Sequence, residues 1–281
     1  MKKILSFAIN DYMGSPNDLR GCVNDQKNIV SKLVTDFRFE GIAFKNSQVT
    51  INLFRDELTK LVLSAKRGDI IVIHYSGHGT QLIDRNNDES DGYDEALYLY
   101  DGAFSDDEFS SILLDLEDGV TCIFVMDCCF SGTITRAVNE RARFKPIVSE
   151  VDGNGFPIVR NRKSKGMNGM NHIVLTGCRS DQTSADAFIS GAWNGALTFA
   201  AVRNLTPGIT YKEWHKITKK WLASKGYDQI PQLEGPDYML NMGVFGSEVK
   251  RKKCWLLRLF TDEYSPMKIE KPQNPPKPPI G

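Results

Sequence analysis

Apolar residues along this chain follow two different periods, and the two kinds of segment alternate. Apolar runs of strand length lie at 4–10, 69–76, 96–101, 121–127, 171–178 and 230–235. Segments with apolar residues at helical spacing lie at 18–37, 52–66, 105–116, 194–205 and 210–226. Strands that alternate with helices predict an α/β protein with a largely parallel sheet and helices on both faces.

Local signals support individual elements of this pattern. The continuous β-branched run DIIVIHYS at 69–76 is typical of a strand that is buried on both faces. Ser105 and Glu108 have the spacing of a capping box, and so do Thr210 and Glu213. These signals predict two well-defined helix starts and one strand in the middle of the sheet.

Two segments fall outside the alternation. Residues 133–170 are polar and basic without a sustained period, and loops of that length are usually functional or disordered. The C-terminal KPQNPPKPPIG is rich in proline and predicts an extended tail. We therefore predict one domain over 1–245, which contains the basic loop 133–170, and a C-terminal extension over 246–281.

The composition is that of a soluble globular protein, with 41% hydrophobic and 25% charged residues among 281. The formal net charge is zero, which favours neither nucleic acid nor an anionic membrane as a partner. No apolar run approaches the roughly 20 residues of a membrane span. The N-terminal MKKILSFAINDY predicts a first core strand rather than a signal peptide.

Six cysteines are scattered along the chain without a CxxC pair. This pattern predicts reduced thiols and a cytoplasmic location. Cysteines that are expected to pack in the core are Cys22, Cys122, Cys178 and Cys254. The adjacent pair Cys128 and Cys129, which follows an aspartate at the end of an apolar run, requires a different explanation.

Polar motifs follow three of the predicted strands, at the edge where parallel sheets gather functional groups. The motifs are HYSGHG, DCCFSG and TGCRSDQTSAD. Glycines on either side of His78 are expected to let the backbone turn sharply and to leave the imidazole uncrowded. The CFSG turn is expected to present Cys129 in the same way.

A cysteine with a histidine distant in sequence is the usual arrangement of a cysteine peptidase, in which imidazole takes the thiol proton. The residues alone favour catalysis only slightly over packing. His74 is the rival base, but it lies inside an apolar run and is expected to be a core histidine. Cys128 is the rival nucleophile, but it directly follows the strand and is expected to pack inward. Metal binding by His78 and the cysteines stays open, although no pair has the usual ligand spacing.

The order and spacing of these motifs resemble the metacaspases, cysteine peptidases related to the caspases. HYSGHG is followed about fifty residues later by DCCFSG, and the resemblance extends from about Ile4 to Gly235. Further matching motifs are LRGCVNDQKNI, DESDGYDEALYLYD, SDDEF, GCRSDQTSAD and NGALTFA. The resemblance implies a caspase-like three-layer α/β/α sandwich with a mostly parallel central sheet. Phe130 departs from the family, in which most members have histidine there.

The resemblance also implies roles for individual residues. His78 would be the general base and Cys129 the nucleophile, with backbone N–H groups of Gly79 and Cys129 as oxyanion donors. The family cleaves after arginine or lysine, and Asp25 matches its second pocket acid beside Asp127.

Charge supports this pocket, because two carboxylates close together repel each other unless a cation lies between them. Ser76 is expected to hydrogen-bond in the same pocket. Without the family match, Asp25 would be interpreted as a solvated charge on the first turns of a helix.

The acidic stretch DRNNDESDGYDE at 84–95 raises the possibility of calcium. Acids and Asn86 occupy several EF-hand-like positions, but Glu89 replaces the required glycine and no helix precedes the loop, which argues against an EF-hand. By resemblance, the calcium candidates are Asp91, Asp106 and Asp107. The alternative for the last two is a favourable placement of acids on the first turn of a capped helix.

These observations predict a monomeric, calcium-activated cysteine endopeptidase that acts on polypeptides after Arg or Lys. A catalytically silent caspase-like interaction module and a caspase-like enzyme that cuts after Asp are the alternatives. The basic loop 133–170 follows the candidate nucleophile and offers the enzyme a substrate of its own. Candidate self-cleavage residues are Arg141, Arg143, Arg160, Arg162, Lys163 and Lys165.

Overall fold

The computed structural model describes residues 1–13, 18–83, 93–128, 141–142, 172–178 and 184–250. Its strands are β1 (Lys2–Ala8), β2 (Glu40–Lys45), β3 (Ile70–Ser76), β4 (His78–Ile83), β5 (Tyr93–Tyr98), β6 (Ala103–Ser105), β7 (Thr121–Asp127), β8 (Arg141–Ala142), β9 (His172–Thr176), β10 (Ala185–Ile189), β11 (Ala192–Gly195) and β12 (Gln232–Glu234). Its α-helices are α1 (Cys22–Phe37), α2 (Ile51–Ser64), α3 (Asp106–Leu113), α4 (Ala196–Asn204), α5 (Tyr211–Ser224) and α6 (Asp237–Leu240).

The central sheet has six strands in the order β12-β9-β7-β3-β1-β2. All neighbours in it are parallel except β12, which pairs antiparallel with β9 at the edge. The parallel strands end at one edge of the sheet, so their carboxyl ends come together there. The register pairs Ser76 at the end of β3 with Asp127 at the end of β7.

Helices cover both faces of this sheet because alternate side chains of its strands point to opposite sides. On one face Phe54 and Leu58 of α2, with Phe109 of α3, pack against β1, β3 and β7. On the other face Ile29 of α1 and Trp214 of α5, with side chains of α4, form a second core. The predicted three-layer α/β/α sandwich with a mostly parallel sheet is confirmed.

Two small antiparallel sheets adjoin the sandwich. One has the order β4-β5-β6 and the other the order β11-β10-β8. Most of these short strands were absent from the sequence interpretation, and Arg141–Ala142 falls inside the loop for which no regular structure was predicted. That pair forms β8 because it adds to the edge of β10, with Ala142 opposite Ala185 and Arg141 opposite Asp186.

Capping signals located the helix starts well. Ser105 accepts a hydrogen bond from the Glu108 N–H, and Thr210 and Glu213 form the reciprocal capping box. The predicted strand at 96–101 instead spans Tyr93–Tyr98 and ends in a turn closed by the Leu99 N–H on the Gly102 carbonyl.

The chain divides into two units, Met1–Val249 and Lys250–Gly281. Phe245 is fully buried in the first unit, so the folded domain includes the predicted boundary residue. Nearly all of the predicted extension 246–281 lies outside the described residues. Across the part of the chain that is described, every helix is too short or too polar to cross a lipid bilayer.

Candidate active site

The ends of β3 and β7 place the HYSGHG and DCCFSG motifs side by side. Ser76 and Asp127 are paired residues on neighbouring strands, and both side chains are fully buried. Ser76 is the last residue of β3 and Asp127 the last residue of β7, so His78 and Cys128, which follow them, lie at one edge of the sheet. The sequence prediction that these motifs meet is therefore confirmed for their described residues.

Gly77 permits the close turn from β3 into β4. A Cβ atom at this position would lie 2.5 Å from the Tyr75 hydroxyl and 2.6 Å from the Tyr12 hydroxyl. Any larger residue would therefore separate the two tyrosines from the backbone of His78. This close approach is the physical reason for the first glycine of HYSGHG.

The His78 side chain is enclosed, with only 4% of its surface exposed. Its ring lies 4.8 Å from the Tyr12 ring, centroid to centroid, and its backbone N–H donates to the Tyr12 hydroxyl over 2.7 Å. The expectation that flanking glycines leave this imidazole uncrowded was wrong. Gly77 instead makes room for Tyr12, a residue that no sequence pattern singled out.

Tyr75 fixes the start of β4 from within β3. Its hydroxyl lies 2.8 Å from the carbonyl oxygens of both His78 and Tyr98, so one proton is shared between two acceptors. Burial raises the pKa of Tyr75 well above its usual value, which keeps this hydroxyl protonated and able to donate. The backbone of His78 is thus held by two tyrosines.

Cys128 directly follows β7 and is 1% exposed, within the core that α2 and α3 cover. This burial agrees with the prediction that Cys128 packs inward. Among the described cysteines, Cys22, Cys122 and Cys178 are also buried, and desolvation raises the pKa of Cys122. Cys129 and Phe130, as well as Cys254, lie outside the described residues.

Asp25 lies in the first turn of α1 and is completely buried. Its carboxylate accepts the Ser76 hydroxyl over 2.7 Å and the Gly195 N–H over 2.8 Å and 3.0 Å, one distance to each oxygen. The alternative interpretation as a solvated helix charge was wrong. Ser76 thus donates to Asp25 and is paired in register with Asp127 on the neighbouring strand.

Asp127 is also completely buried and has its own pair of donors. Its Oδ1 accepts the Ser184 hydroxyl over 2.6 Å, and its Oδ2 accepts the Thr198 N–H over 2.8 Å. The motif GCRSDQTSAD contains Ser184, but nothing in the motif distinguishes this serine from its neighbours. The contact arises because the residue before β10 meets the end of β7.

Both carboxylates use N–H groups at the start of α4. Gly195 is the N-cap of this helix, and Thr198 lies three residues later, in its first turn. A helix N-terminus carries a charge of roughly +0.5, which favours the charged form of a nearby carboxylate. The start of α4 therefore stabilises both acids.

A third buried carboxylate, Asp186 of β10, holds the segment that leads into α1. It accepts the backbone N–H of Arg20 over 2.8 Å and that of Gly21 over 2.9 Å. A Cβ on Gly21 would lie 2.5 Å from Asp186 Oδ1, so only glycine fits between this segment and the β10–β11 hairpin. Asp186 thereby fixes the beginning of the helix that carries Asp25.

His74 is a core residue, as expected, whereas Gly79 lies in a strand rather than in the expected turn. His74 is fully buried, and its Nδ1 is 2.8 Å from the Ser6 hydroxyl, as expected of a core histidine. Gly79 follows His78 in β4 and is paired with Leu97 of β5.

Two of the three calcium candidates are described. Asp106 and Asp107 occupy the first turn of α3, where Asp106 Oδ1 accepts the Asp107 N–H over 3.1 Å. Asp91 lies outside the described residues. Within those that are described, no group of three or more His, Cys, Asp or Glu side chains has metal-binding geometry. The two aspartates offer the hard oxygen ligands that calcium prefers but supply only part of a site.

Among the self-cleavage candidates, only Arg141 falls within the described residues, as part of β8. Its neighbour Ala142 pairs with Ala185, which directly follows Ser184. The backbone of Arg141–Ala142 therefore lies beside β10. The residue before β10 is Ser184, which donates to Asp127. The other candidates, Arg143, Arg160, Arg162, Lys163 and Lys165, lie outside the described residues.

Several curated proteins are similar to this chain. Metacaspase-1 of Scheffersomyces stipitis is 31% identical in an alignment that covers 83% of this chain and 70% of that protein. Metacaspase-2 of Arabidopsis thaliana is 34% identical in an alignment that covers 71% of this chain and 51% of that protein. The chain thus spans between about half and 70% of the length of these relatives.

Solved structures show the same fold. A crystal structure of a Geobacter sulfurreducens protein has a TM-score of 0.68 at 25% identity, covering 88% of this chain and 99% of that one. Caspase-1 from Spodoptera frugiperda has a TM-score of 0.57 at 12% identity, covering 88% of this chain and 90% of that one, a likeness of fold alone.

A family model agrees with these similarities. The model described as metacaspase, peptidase C14 domain, matches residues 2–137, which contain both the His78 motif and the DCCFSG motif. The similarity to curated metacaspases extends well beyond that range, over most of the chain. The protein therefore belongs to the metacaspase family of caspase-like cysteine peptidases.

Proposed function

We propose that this protein is a cysteine endopeptidase that hydrolyses polypeptides after arginine or lysine, with Cys129 as nucleophile and His78 as base. The observation that carries this proposal is the pair of buried carboxylates, Asp25 and Asp127, on either side of Ser76. They lie at the sheet edge that also carries His78 and Cys128.

Charge and geometry favour a cation before the scissile bond. The donors to Asp25 and Asp127 described above are neutral hydroxyl and N–H groups, which stabilise a carboxylate without cancelling its charge. A guanidinium or an ammonium group bound beside Asp25 and Asp127 would be attracted by both carboxylates. An aspartate in this place would add a third negative charge and would be repelled.

Each step of peptide hydrolysis can be assigned to one of the proposed residues. His78 takes the Cys129 proton, and the thiolate attacks the carbonyl carbon of the scissile bond. The N–H groups of Gly79 and Cys129 donate to the resulting oxyanion, which stabilises it where its charge develops. Collapse breaks the C–N bond, and the His78 imidazolium gives its proton to the leaving amine. A water, deprotonated by His78, then attacks the thioester and releases the acid and the thiolate.

The enclosed environment of His78 supports the role of a base. Tyr12 packs against one side of the imidazole, and Tyr75 fixes its backbone, so the ring is held in a defined position. A positioned general base typically contributes 10²- to 10⁴-fold to a rate, on the order of several kcal/mol.

The proposal is tested with a panel of fluorogenic peptides that differ only in the residue before the cut. Arginyl and lysyl peptides should be hydrolysed with a kcat/KM at least about 100-fold above those of aspartyl and leucyl peptides. A well-folded protein that cleaves none of them would instead be a silent interaction module. Preferential cleavage of the aspartyl peptide would identify an enzyme of caspase-like specificity.

We also propose that calcium activates the enzyme through Asp91, Asp106 and Asp107. Millimolar calcium should raise the rate on the arginyl peptide, and Asp106→Ala and Asp107→Ala should each blunt that response, because each removes a carboxylate ligand. Asp115→Ala is the control, since it removes an acid of the same region beyond the end of α3. If chelator does not change the rate and titration calorimetry detects no heat of calcium binding, calcium activation is refuted. Asp106 and Asp107 would then only stabilise the start of α3.

We further propose that the enzyme processes its own basic loop. Support comes from β8, because Arg141–Ala142 is extended and lies against the strand that begins beside Ser184. Incubation with calcium should yield new N-termini after basic residues of 133–170 in the wild type and none in the Cys129→Ala variant. Arg141→Ala should remove the fragment that begins at Ala142, whereas Arg143→Ala should not. Identical cleavage of wild type and Cys129→Ala would point to a contaminating protease.

A further inference from the structure

A buried glutamine that belongs to none of the sequence motifs lies behind Asp127. Gln229 is 5% exposed and occupies the irregular segment between α5 and β12. Its Oε1 accepts the Ala185 N–H over 3.0 Å, and its Nε2 donates to the Gly177 carbonyl over 2.9 Å. Burying so flexible a polar side chain costs up to about 2 kcal/mol of rotamer freedom, so its full set of partners indicates a specific task.

The two backbone partners determine which way the Gln229 amide points. Only the amide oxygen can accept from the Ala185 N–H, and only the amide nitrogen can donate to the Gly177 carbonyl. The same nitrogen lies 3.4 Å from the Ser184 hydroxyl oxygen. Gln229 therefore presents a donor, and not an acceptor, to Ser184.

A donor on one side of the Ser184 hydroxyl directs its single proton to the other side. On that side lies Asp127 Oδ1, at 2.6 Å from Ser184 Oγ. The hydrogen bonds thus run in one direction, from Gln229 through Ser184 to Asp127, and each bond polarises the next. Gly177 makes room for this arrangement, because a Cβ there would lie 2.6 Å from Ser184 Oγ.

We infer that Gln229 is a positioning residue, which acts through Ser184 to hold the Asp127 carboxylate in one orientation and thereby favours arginine over lysine. This inference rests on the proposed function. A guanidinium binds a carboxylate through two parallel hydrogen bonds in a fixed plane, whereas an ammonium group acts as a compact point charge. A variant that loosens the Asp127 carboxylate should therefore weaken the binding of arginyl substrates more than that of lysyl substrates.

The test is a double-mutant cycle of Ser184→Ala and Gln229→Glu, measured on arginyl and lysyl peptides that are otherwise identical. The carboxylate introduced by Gln229→Glu would present an acceptor to Ser184 and draw its proton away from Asp127. Each single variant should lower kcat/KM about tenfold on the arginyl peptide, mostly through KM, and no more than about threefold on the lysyl peptide. The double variant should lose less than the product of the two single losses, because both changes weaken the same Ser184–Asp127 bond.

Gln232→Leu is the matched control. Gln232 is a half-buried glutamine close in sequence, and its amide donates to the carbonyls of Ile230 and Pro231 rather than to the pocket. This variant should leave the ratio of arginyl to lysyl cleavage unchanged. Additive losses in the cycle, or equal losses on the two peptides, would overturn the positioning role.

Hydrogen exchange separates this inference from the proposed function. Gln229→Leu removes the acceptor of the Ala185 amide, so that amide should exchange faster whether or not the enzyme is active. A wild type that cleaves neither peptide would refute the proposed function, and the selectivity role would fall with it. A wild type that cleaves both, combined with unchanged exchange and an unchanged ratio in the variants, would refute the role of Gln229 alone.

Discussion

Cys129→Ala is expected to abolish hydrolysis of arginyl peptides, whereas Cys128→Ala should keep most of it. Removal of a covalent nucleophile leaves only binding and oxyanion stabilisation, so the loss should be at least about 1,000-fold in kcat. Cys128 precedes the proposed nucleophile and is 1% exposed in a hydrophobic core. A thiol in that position has neither access to substrate nor room to attack it.

The comparison of the two variants contains its own control. Cys128→Ala removes one buried sulfur atom, so thermal unfolding should reveal a stability loss on the order of 1 kcal/mol with little change in kcat. Cys129→Ala should leave thermal unfolding close to that of the wild type. The reverse result, an inactive Cys128→Ala and an active Cys129→Ala, would show that the nucleophile has been assigned to the wrong sulfur.

Asp127→Asn is expected to produce the second large effect, a selective loss on substrates with a cation before the cut. A buried charge-assisted partner is worth about 2–5 kcal/mol, which corresponds to a fall in kcat/KM of roughly 30-fold to several thousandfold. Asparagine has nearly the shape of aspartate, and its oxygen can still accept the Thr198 N–H, although the Ser184 hydroxyl loses its carboxylate acceptor. Thermal unfolding of the variant is therefore measured beside the kinetics, to separate the loss of charge from a loss of stability.

Asp36→Asn is the control for this experiment. It removes the same unit of charge near the end of α1, where Asp36 forms an ion pair with Lys32. Asp25 lies eleven residues earlier on the same helix, about 16 Å away along its axis. Asp36→Asn should leave the kinetics unchanged. A similar loss in both variants would attribute the effect to net charge, and an active Asp127→Asn would remove this carboxylate from the proposed pocket.

The sequence predicted those features that depend on neighbouring residues. The buried run at 69–76 and the apolar run at 121–127 became adjacent parallel strands, so the motifs at their ends had to meet. The capping signals at Ser105 and Thr210 located two helix starts because such bonds span only three residues. The layered α/β architecture followed from the same alternation.

Features that depend on distant contacts could not be predicted. Ser184 donates to Asp127 across 57 residues, and the Gly195 N–H reaches Asp25 across 170 residues. No local pattern marks Gln229, which has a role only because Ser184 lies beside it. The burial of His78 under Tyr12 was missed for the same reason, since glycine beside a histidine describes the backbone and not the side chains that pack against it.

Short peripheral strands were missed because their apolar and polar residues do not alternate regularly. Strand β2 is almost entirely exposed and forms by pairing with β1. β8 has two residues, too few for any pattern to register, and exists through its pairing with β10. The loop prediction for 133–170 therefore described composition correctly but not the backbone of Arg141–Ala142.

Covalent labelling tests the central claim most directly. The full-length protein is treated with an irreversible thiol-directed inhibitor that carries an arginyl side chain, and the adduct is located by peptide mass spectrometry. The label should fall on Cys129, should be slowed strongly by His78→Ala and by Asp127→Asn, and should not form with an aspartyl inhibitor. An adduct on Cys128, or equal labelling by the arginyl and aspartyl inhibitors, would contradict the proposed dyad or the acidic pocket.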